Sequence, residues 1–221
     1  MISLLAFSLL VGCDGEKSNE TNPPEAVSVN PNSKYEIEGD AVTITECDKK
    51  ASGELIIPAN IEGKPVTSIG GAAFNRCTGL TSITIPDSVT SIGDSAFYGC
   101  NSLTSVTIGN GVTSIGYGAF TACYSLKSIN IPDGVTSIGD AAFENCKSLT
   151  SIKIPDNLSI IWGVAFVACD HLTAVSFLGD APRIANDAFK ESSPTIYREA
   201  DAKGWGDTFA GRPVKLITEK P

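Results

Sequence analysis

Histidine occurs once in the 221 residues, at His171, and methionine once, at Met1. A single imidazole removes most zinc sites and the Ser-His and Cys-His schemes, which need histidine in company. Basic side chains are outnumbered, 16 Lys and Arg against 25 Asp and Glu, for a net charge of −9. Such a surface repels phosphate backbones, so neither nucleic acid nor anionic lipid is expected as a partner. No apolar run reaches the ~18–20 residues of a membrane-spanning helix. A G-x-x-x-x-G-K-[ST] phosphate loop is also missing, although the chain has 21 glycines. What it does have is 42% hydrophobic residues, enough to bury a sizeable core in one or two domains.

That core is written in a repeat. Phe74, Phe97, Phe120, Phe143, Phe166 and Phe189 follow one another at 23 residues. Ile69, Ile92, Ile115, Ile138, Ile161 and Ile184 keep the same step, as do Cys77, Cys100, Cys123, Cys146 and Cys169. Leu80, Leu103, Leu126, Leu149 and Leu172 make a fourth column in phase. Within a unit, Leu80, Ile83 and Ile85 point inward from a short strand, with Ser82 and Thr84 outward. Pro86-Asp87-Ser88 turns the chain, and Asn110-Gly111, Asp133-Gly134 and Asp156-Asn157 do so in later units. Val89 and Ile92 form a shorter extended piece ended by Gly93, and Ala96, Phe97 and Cys100 fit a helical or 3₁₀ turn. Each coil carries an apolar edge that it can bury only against its neighbours. The expected fold is a repeat solenoid, mostly short β-strands, capped at both ends.

The run Cys77-x-x-Leu80-x-x-Ile83-x-Ile85-Pro86, continued by Val89, Ile92, Ala96 and Phe97, resembles the BspA-like leucine-rich repeat family over roughly residues 52 to 190. The resemblance implies a leucine-rich-repeat solenoid used in adhesion or protein–protein recognition. The chain departs from the general leucine-rich pattern: its Asn/Cys position holds Ser88, Gly111, Gly134 and Asn157. An asparagine ladder is therefore not expected to be the main device inside the turns.

The flanks read differently. Residues 1–12 resemble a secretory signal peptide, and Leu10-Val11-Gly12-Cys13 resembles the bacterial lipobox, without a Lys or Arg before Cys13. The resemblance implies a diacylglycerol on Cys13; a buried N-terminal element with an incidental cysteine is the alternative. Residues 13–33 are polar and proline-bearing, a flexible tether. Residues 34–51 contain two alternating strands around Gly39-Asp40, a capping hairpin, and residues 52–190 form the solenoid. The first coil has seven extra residues between Cys47 and Cys77, expected to bulge as a loop. Residues 191–221 form a C-terminal cap, read as a strand, a short helix carrying Trp205 and Phe209 at i, i+4, and a final strand. An aromatic ligand platform at Tyr197 and Trp205 is the alternative for that segment.

Candidate chemistry is sparse. An exported chain with six cysteines besides Cys13 invites disulfides. In-register thiols, however, stand about one strand spacing, ~4.8 Å, apart and run parallel, so buried free thiols are expected. The column Asp87, Asn110, Asp133, Asp156 suits turns better than Ca²⁺. Asp170-His171 is expected to be solvated, and no catalytic residue, metal site or cofactor is assigned. What remains is surface. Ser82, Thr84, Ser105, Thr107, Ser128, Asn130, Ser151, Lys153 and Ser176 should line a flat, hydroxyl-rich sheet face. Tyr98, Tyr117, Tyr124 and Trp162 are candidate exposed aromatic anchors, although Trp162 also stands where other coils have glycine. The sequence thus predicts a monomeric, exported lipoprotein of the bacterial cell envelope, at the outer membrane or cell surface, that presents a rigid binding face. A protein ligand at the cell surface is expected, with a glycan ligand, or capture of a substrate, as the alternative. The membrane is touched through the lipid anchor alone.

Overall fold

The computed structural model describes residues 33–219; the expected signal peptide, Cys13 and nearly all of the tether lie outside them. In chain order the first strands are β1 (Ser33–Glu38), β2 (Ala41–Cys47), β3 (Ser52–Ile56), β4 (Asn60–Ile61), β5 (Lys64–Ile69) and β6 (Gly79–Ile85). Next come β7 (Ser91–Ile92), β8 (Ser105–Ile108), β9 (Ser114–Ile115), β10 (Ser128–Ile129), β11 (Ser137–Ile138) and β12 (Ser151–Ile154). The last are β13 (Ile160–Ile161), β14 (Ala174–Phe177), β15 (Arg183–Ile184), β16 (Thr195–Arg198), β17 (Thr208–Phe209) and β18 (Arg212–Leu216), followed by a 3₁₀ turn at Ile217–Glu219.

Two sheets run the length of the stack. One follows the order β1-β2-β5-β7-β9-β11-β13-β15 and is parallel from β2 onward. The other is built from β3, β6, β8 and β10, and then from β12, β14, β16 and β18, joined across the gap by the Asn130–Lys153 bridge. Register follows the repeat: Ser82 pairs with Ser105, and Ser105 with Ser128. Between the sheets lies a continuous apolar core, in which the Phe, Ile, Leu and Cys columns are almost entirely buried. Ile184 alone among those columns is half-buried, at the end of its sheet. The six phenylalanine rings stack coil on coil, centroids 5.0–5.5 Å apart and planes within 14° of parallel. That places positions 23 apart directly above one another, the defining geometry of a solenoid.

The segment around Ala96-Phe97-Cys100 keeps i to i+3 bonds (Ala96 N to Gly93 O, Tyr98 N to Ser95 O, Cys100 N to Phe97 O) without continuing as a helix. Its intervening residues turn their amides onto the next coil: Ser95 N to Tyr117 O, Phe97 N to Ala119 O, Gly99 N to Thr121 O. To do so the chain enters the left-handed region twice in each of these segments, at Ala72 and Arg76, Ser95 and Gly99, Gly118 and Ala122, Ala141 and Asn145, and Gly163 and Ala168, which no helix can accommodate. Cross-coil bonding, required because these amides are inside the stack, wins over helix propagation.

Side chains add further rungs. Thr90, Thr113 and Thr136 each donate both N–H (2.8–2.9 Å) and Oγ (3.1–3.3 Å) to the carbonyl of the threonine one coil earlier. Cys100, Cys123, Cys146 and Cys169 donate Sγ–H to the carbonyls of Phe74, Phe97, Phe120 and Phe143 at 3.1–3.3 Å. Ser192 continues the column one coil further, donating Oγ to Phe166 O at 2.7 Å. Arg212 Nη2 then closes the series on Phe189 O, also at 2.7 Å. All six cysteines of the described chain are free and buried. Burial pushes Cys100 and Cys169 up to about 12, and Cys123 and Cys146 well above the ordinary thiol value.

Both ends correct the reading of the sequence. The seven extra residues of the first coil are not a loose loop. They form a β4–β5 hairpin around Glu62-Gly63, both at positive φ as a two-residue hairpin turn requires, with Ile61 buried. Tyr35 Oη donates to Glu62 Oε1 at 2.7 Å and ties this hairpin to the β1–β2 pair. At the other end, the expected short helix is absent. Trp205 lies between Gly204 and Gly206, with Gly204 at φ +81°, so helix is disfavoured there. Trp205 and Phe209 meet instead through a bend and the antiparallel β17–β18 pair. Their rings pack on each other at 4.7 Å and on Phe177 at 5.0 and 5.5 Å. Tyr197 is buried. The aromatic platform is therefore a core cap.

Candidate recognition surface

The sheet built from β3, β6, β8, β10, β12, β14, β16 and β18 has the longer strands and is called the long sheet, the other the short sheet. Outward positions of the long sheet form two rows. Glu54, Ser82, Ser105 and Ser128 lie in register in one; Ile56, Thr84 and Thr107 lead the other, which continues through the Asn130–Lys153 bridge. Ser105, Thr107, Ser128, Asn130 and Lys153 are exposed, while Ser82, Thr84 and Ser151 are half-buried. Ser176 is not on the open face. It is buried, with Lys153 and Tyr197 as its register neighbours, and the larger flanking side chains take a serine out of solvent. The sequence reading also passed over Ile56, which is 49% exposed at the start of its row. The alternation of Leu55 and Ile57, both buried, was the available signal, since it forces the residue between them outward.

The four aromatics do not converge. Tyr98 is half-buried rather than exposed. Tyr124 stands four residues before Ser128, at the rim of the long sheet, and Lys147 Nζ of the next coil lies 5.9 Å from its ring centroid. Lys147 also faces Asp170 Oδ2 at 3.8 Å, and His171 Nδ1 meets Lys147 O at 2.7 Å. Asp170 and His171 are thus both engaged with Lys147, as parts of an inter-coil ladder.

Tyr117 and Trp162 stand at another corner, just past β9 and β13 of the short sheet. Trp162 occupies the column of Gly93, Gly116 and Gly139. A Cβ at Gly139 would meet Gly116 C and O at 2.6 Å, so the chain cannot accept a side chain there without moving. The coil responds by shifting its glycine one place. Gly163 takes φ +40°, and the Asp140 carboxylate occupies the space that a Cβ would fill. The Asp140 Oδ1 bond consequently falls on Val164 N, where Asp94 Oδ1 accepts from Tyr117 N, one position earlier in the repeat. Trp162 emerges 53% exposed beside a groove lined by Ile160, Arg183 and Ile184.

Asp87 Oδ1 accepts from Asn110 N at 2.7 Å, a turn-stabilising role. Among the described residues no group of three or more His, Cys, Asp or Glu could hold a metal ion, and no helix is long and apolar enough to cross a membrane.

The profile of the BspA type leucine rich repeat region matches residues 67–195 in six copies. No curated protein sequence matches. Among solved structures, a leucine-rich repeat protein of T. pallidum is 31% identical, with a TM-score of 0.62 over 66% of this chain and 68% of that one. A leucine-rich repeat protein from Bacteroides ovatus is 29% identical, with a TM-score of 0.61 over 79% of this chain and 50% of that one. The pneumococcal vaccine antigen PcpA, at 22% identity and a TM-score of 0.64 over 78% of this chain and 49% of that one, shares the fold. Leucine-rich repeat families are typically non-enzymatic scaffolds. The repeat columns, the two ladders of strands and these likenesses agree: the chain belongs to the BspA-type leucine-rich repeat family.

Proposed function

We propose that this chain is a lipid-anchored cell-envelope protein whose long-sheet face recognises a protein ligand, as in adhesion. The supporting observation is the rigid row of Ser105, Thr107, Ser128 and Asn130, polar and exposed, bordered by Tyr124 at 43% exposure. Exposed aromatics next to adaptable polar groups make effective contact anchors. A fixed backbone also keeps the ordering cost of binding low. The anchor would be a diacylglycerol on Cys13, carried by the resemblance of residues 10–13 to a lipobox. Affinity capture from envelope and extracellular extracts tests the face: specific capture is expected with wild type and Trp162→Gly, and its loss with Thr107→Arg. Unchanged capture by Thr107→Arg would discard the face. Metabolic labelling with a fatty acid, lost in Cys13→Ser, tests the anchor.

The Trp162 groove favours a second reading, a carbohydrate ligand stacked on the indole with Arg183 alongside. Glycan-array binding that depends on Trp162 and ignores Thr107→Arg would establish it over the first.

A further inference from the structure

Cys47 and Cys77 stand apart from the other thiols. Cys100, Cys123, Cys146 and Cys169 each have a phenylalanine carbonyl of the preceding coil as acceptor. Cys77 begins the column and has no such carbonyl beneath it. Its thiol lies 3.8 Å from Asp48 O and 3.9 Å from Cys47 O, and the Cys47 thiol lies 3.7 Å from the same Asp48 O. Two sulfurs therefore flank one carbonyl oxygen, Asp48 O, and face the same point of the chain.

The objection to disulfides along the column does not reach this pair. In-register thiols run parallel because equivalent residues share a backbone direction. Cys47 precedes Cys77 by 30 residues, not 23, and ends β2 with its N–H on Ala73 O. In the coils that follow, it is Phe74 and Arg76 that reach across to their neighbour, on Ala96 O and Tyr98 O. Cys47 thus approaches Cys77 from the N-terminal hairpin, along a different course. We infer that Cys47 and Cys77 form a disulfide that joins the β1–β2 hairpin covalently to the first full coil.

The chemistry is thiol–disulfide exchange with a small-molecule disulfide, such as oxidised glutathione, as oxidant. The neighbouring Cys77 thiol lowers the Cys47 thiol below its ordinary value, so Cys47 is the more readily ionised of the two and is the attacking group. It displaces one glutathione thiolate and leaves a mixed disulfide. Cys77 then loses its proton, attacks the Cys47 sulfur and expels the second glutathione. Two protein thiols are oxidised to one disulfide while one glutathione disulfide is reduced to two thiols. Access comes from β1, whose residues are mostly exposed and whose Ser33 is the register partner of Cys47. Fraying of that first strand uncovers Cys47 before the thiols further along the stack, since Cys100, Cys123 and Cys146 have coils on both sides.

The test is incubation of the full chain with oxidised glutathione, followed by alkylation in denaturant and mass spectrometry. Two thiols are expected to become unavailable in wild type and in Cys100→Ser, and none in Cys47→Ser or Cys77→Ser. The cross-linked peptides of wild type should join Cys47 to Cys77, a readout that needs no variant to fold. Oxidation should also raise the melting midpoint by about 5–10 °C, reversed by reductant. An unchanged thiol count, or a cross-link that maps to Cys13 or within Cys100–Cys169, would overturn the inference.

Discussion

The coils between Leu80 and Cys146 and the two coils that follow them solve the same problem with different residues. In the former, glycine stands at positions 93, 116 and 139, cysteine bonds each phenylalanine carbonyl, and every phenylalanine ring lies between two others. In the first of the latter, Trp162 takes the glycine position; in the second, Ser192 takes the cysteine position and Phe189 has a phenylalanine of the column on one side. Both retain the same strand register and the same carbonyl acceptors. What a coil must supply is therefore a donor at the right height and room for its neighbour's backbone, not a particular residue. The Trp162 coil meets the second demand only by placing a glycine at position 163, where positive φ costs glycine nothing.

Removing the ring at the centre should break the regular region hardest. Phe120→Ala is expected to cost about 3–5 kcal/mol, since it opens a cavity between two stacked rings, and Phe189→Ala less, with denaturant melts of both variants as the measure. Equal losses would mean that the stack has no centre. Alkaline pH should act next, and also mainly on the regular coils. Their buried thiols ionise far above 9 when folded but near 9 when unfolded. Above pH 9 the unfolded chain therefore binds fewer protons, and stability falls by about 1.4 kcal/mol per pH unit for each buried thiol. It is full below pH 9. Melts at pH 8 and pH 10 should show a drop that shrinks in Cys146→Ser, where the serine of position 192 indicates that the bond survives.

Smaller effects sharpen the contrast. Gly139→Ala should cost about 1–3 kcal/mol, because its Cβ meets the Gly116 carbonyl group, whereas Trp162→Gly should leave the melting midpoint nearly unchanged. A large loss in Trp162→Gly would show that the indole is structural. Last, Thr113→Val keeps shape but removes the Oγ bond to Thr90 O, and about 0.5–1.5 kcal/mol should separate the two proteins in chemical denaturation.

Much of this was legible in the chain. The 23-residue step placed Phe97, Phe120 and Phe143 in one column, and their rings do stack. Alternation named the outward side chains of the long sheet correctly at Ser105, Thr107 and Ser128. It failed at Ser176, because exposure there depends on Tyr197 of a later strand. The cap was misread for a related reason: Trp205 and Phe209 have helical spacing, yet the glycines on either side of Trp205 and the pull of Phe177 decide the backbone.

Periodicity alone determined the fold, since a repeated apolar edge has no way to leave water except against its own copies. Which donors would meet which carbonyls was decided only by the stack. The bonds from Cys100 to Phe74 and from Ser192 to Phe166 span 26 residues rather than one repeat, and the Cys47–Cys77 approach depends on a hairpin that breaks the period. Such contacts are fixed by the height and direction at which coils rest on one another, quantities that exist only after the chain has folded.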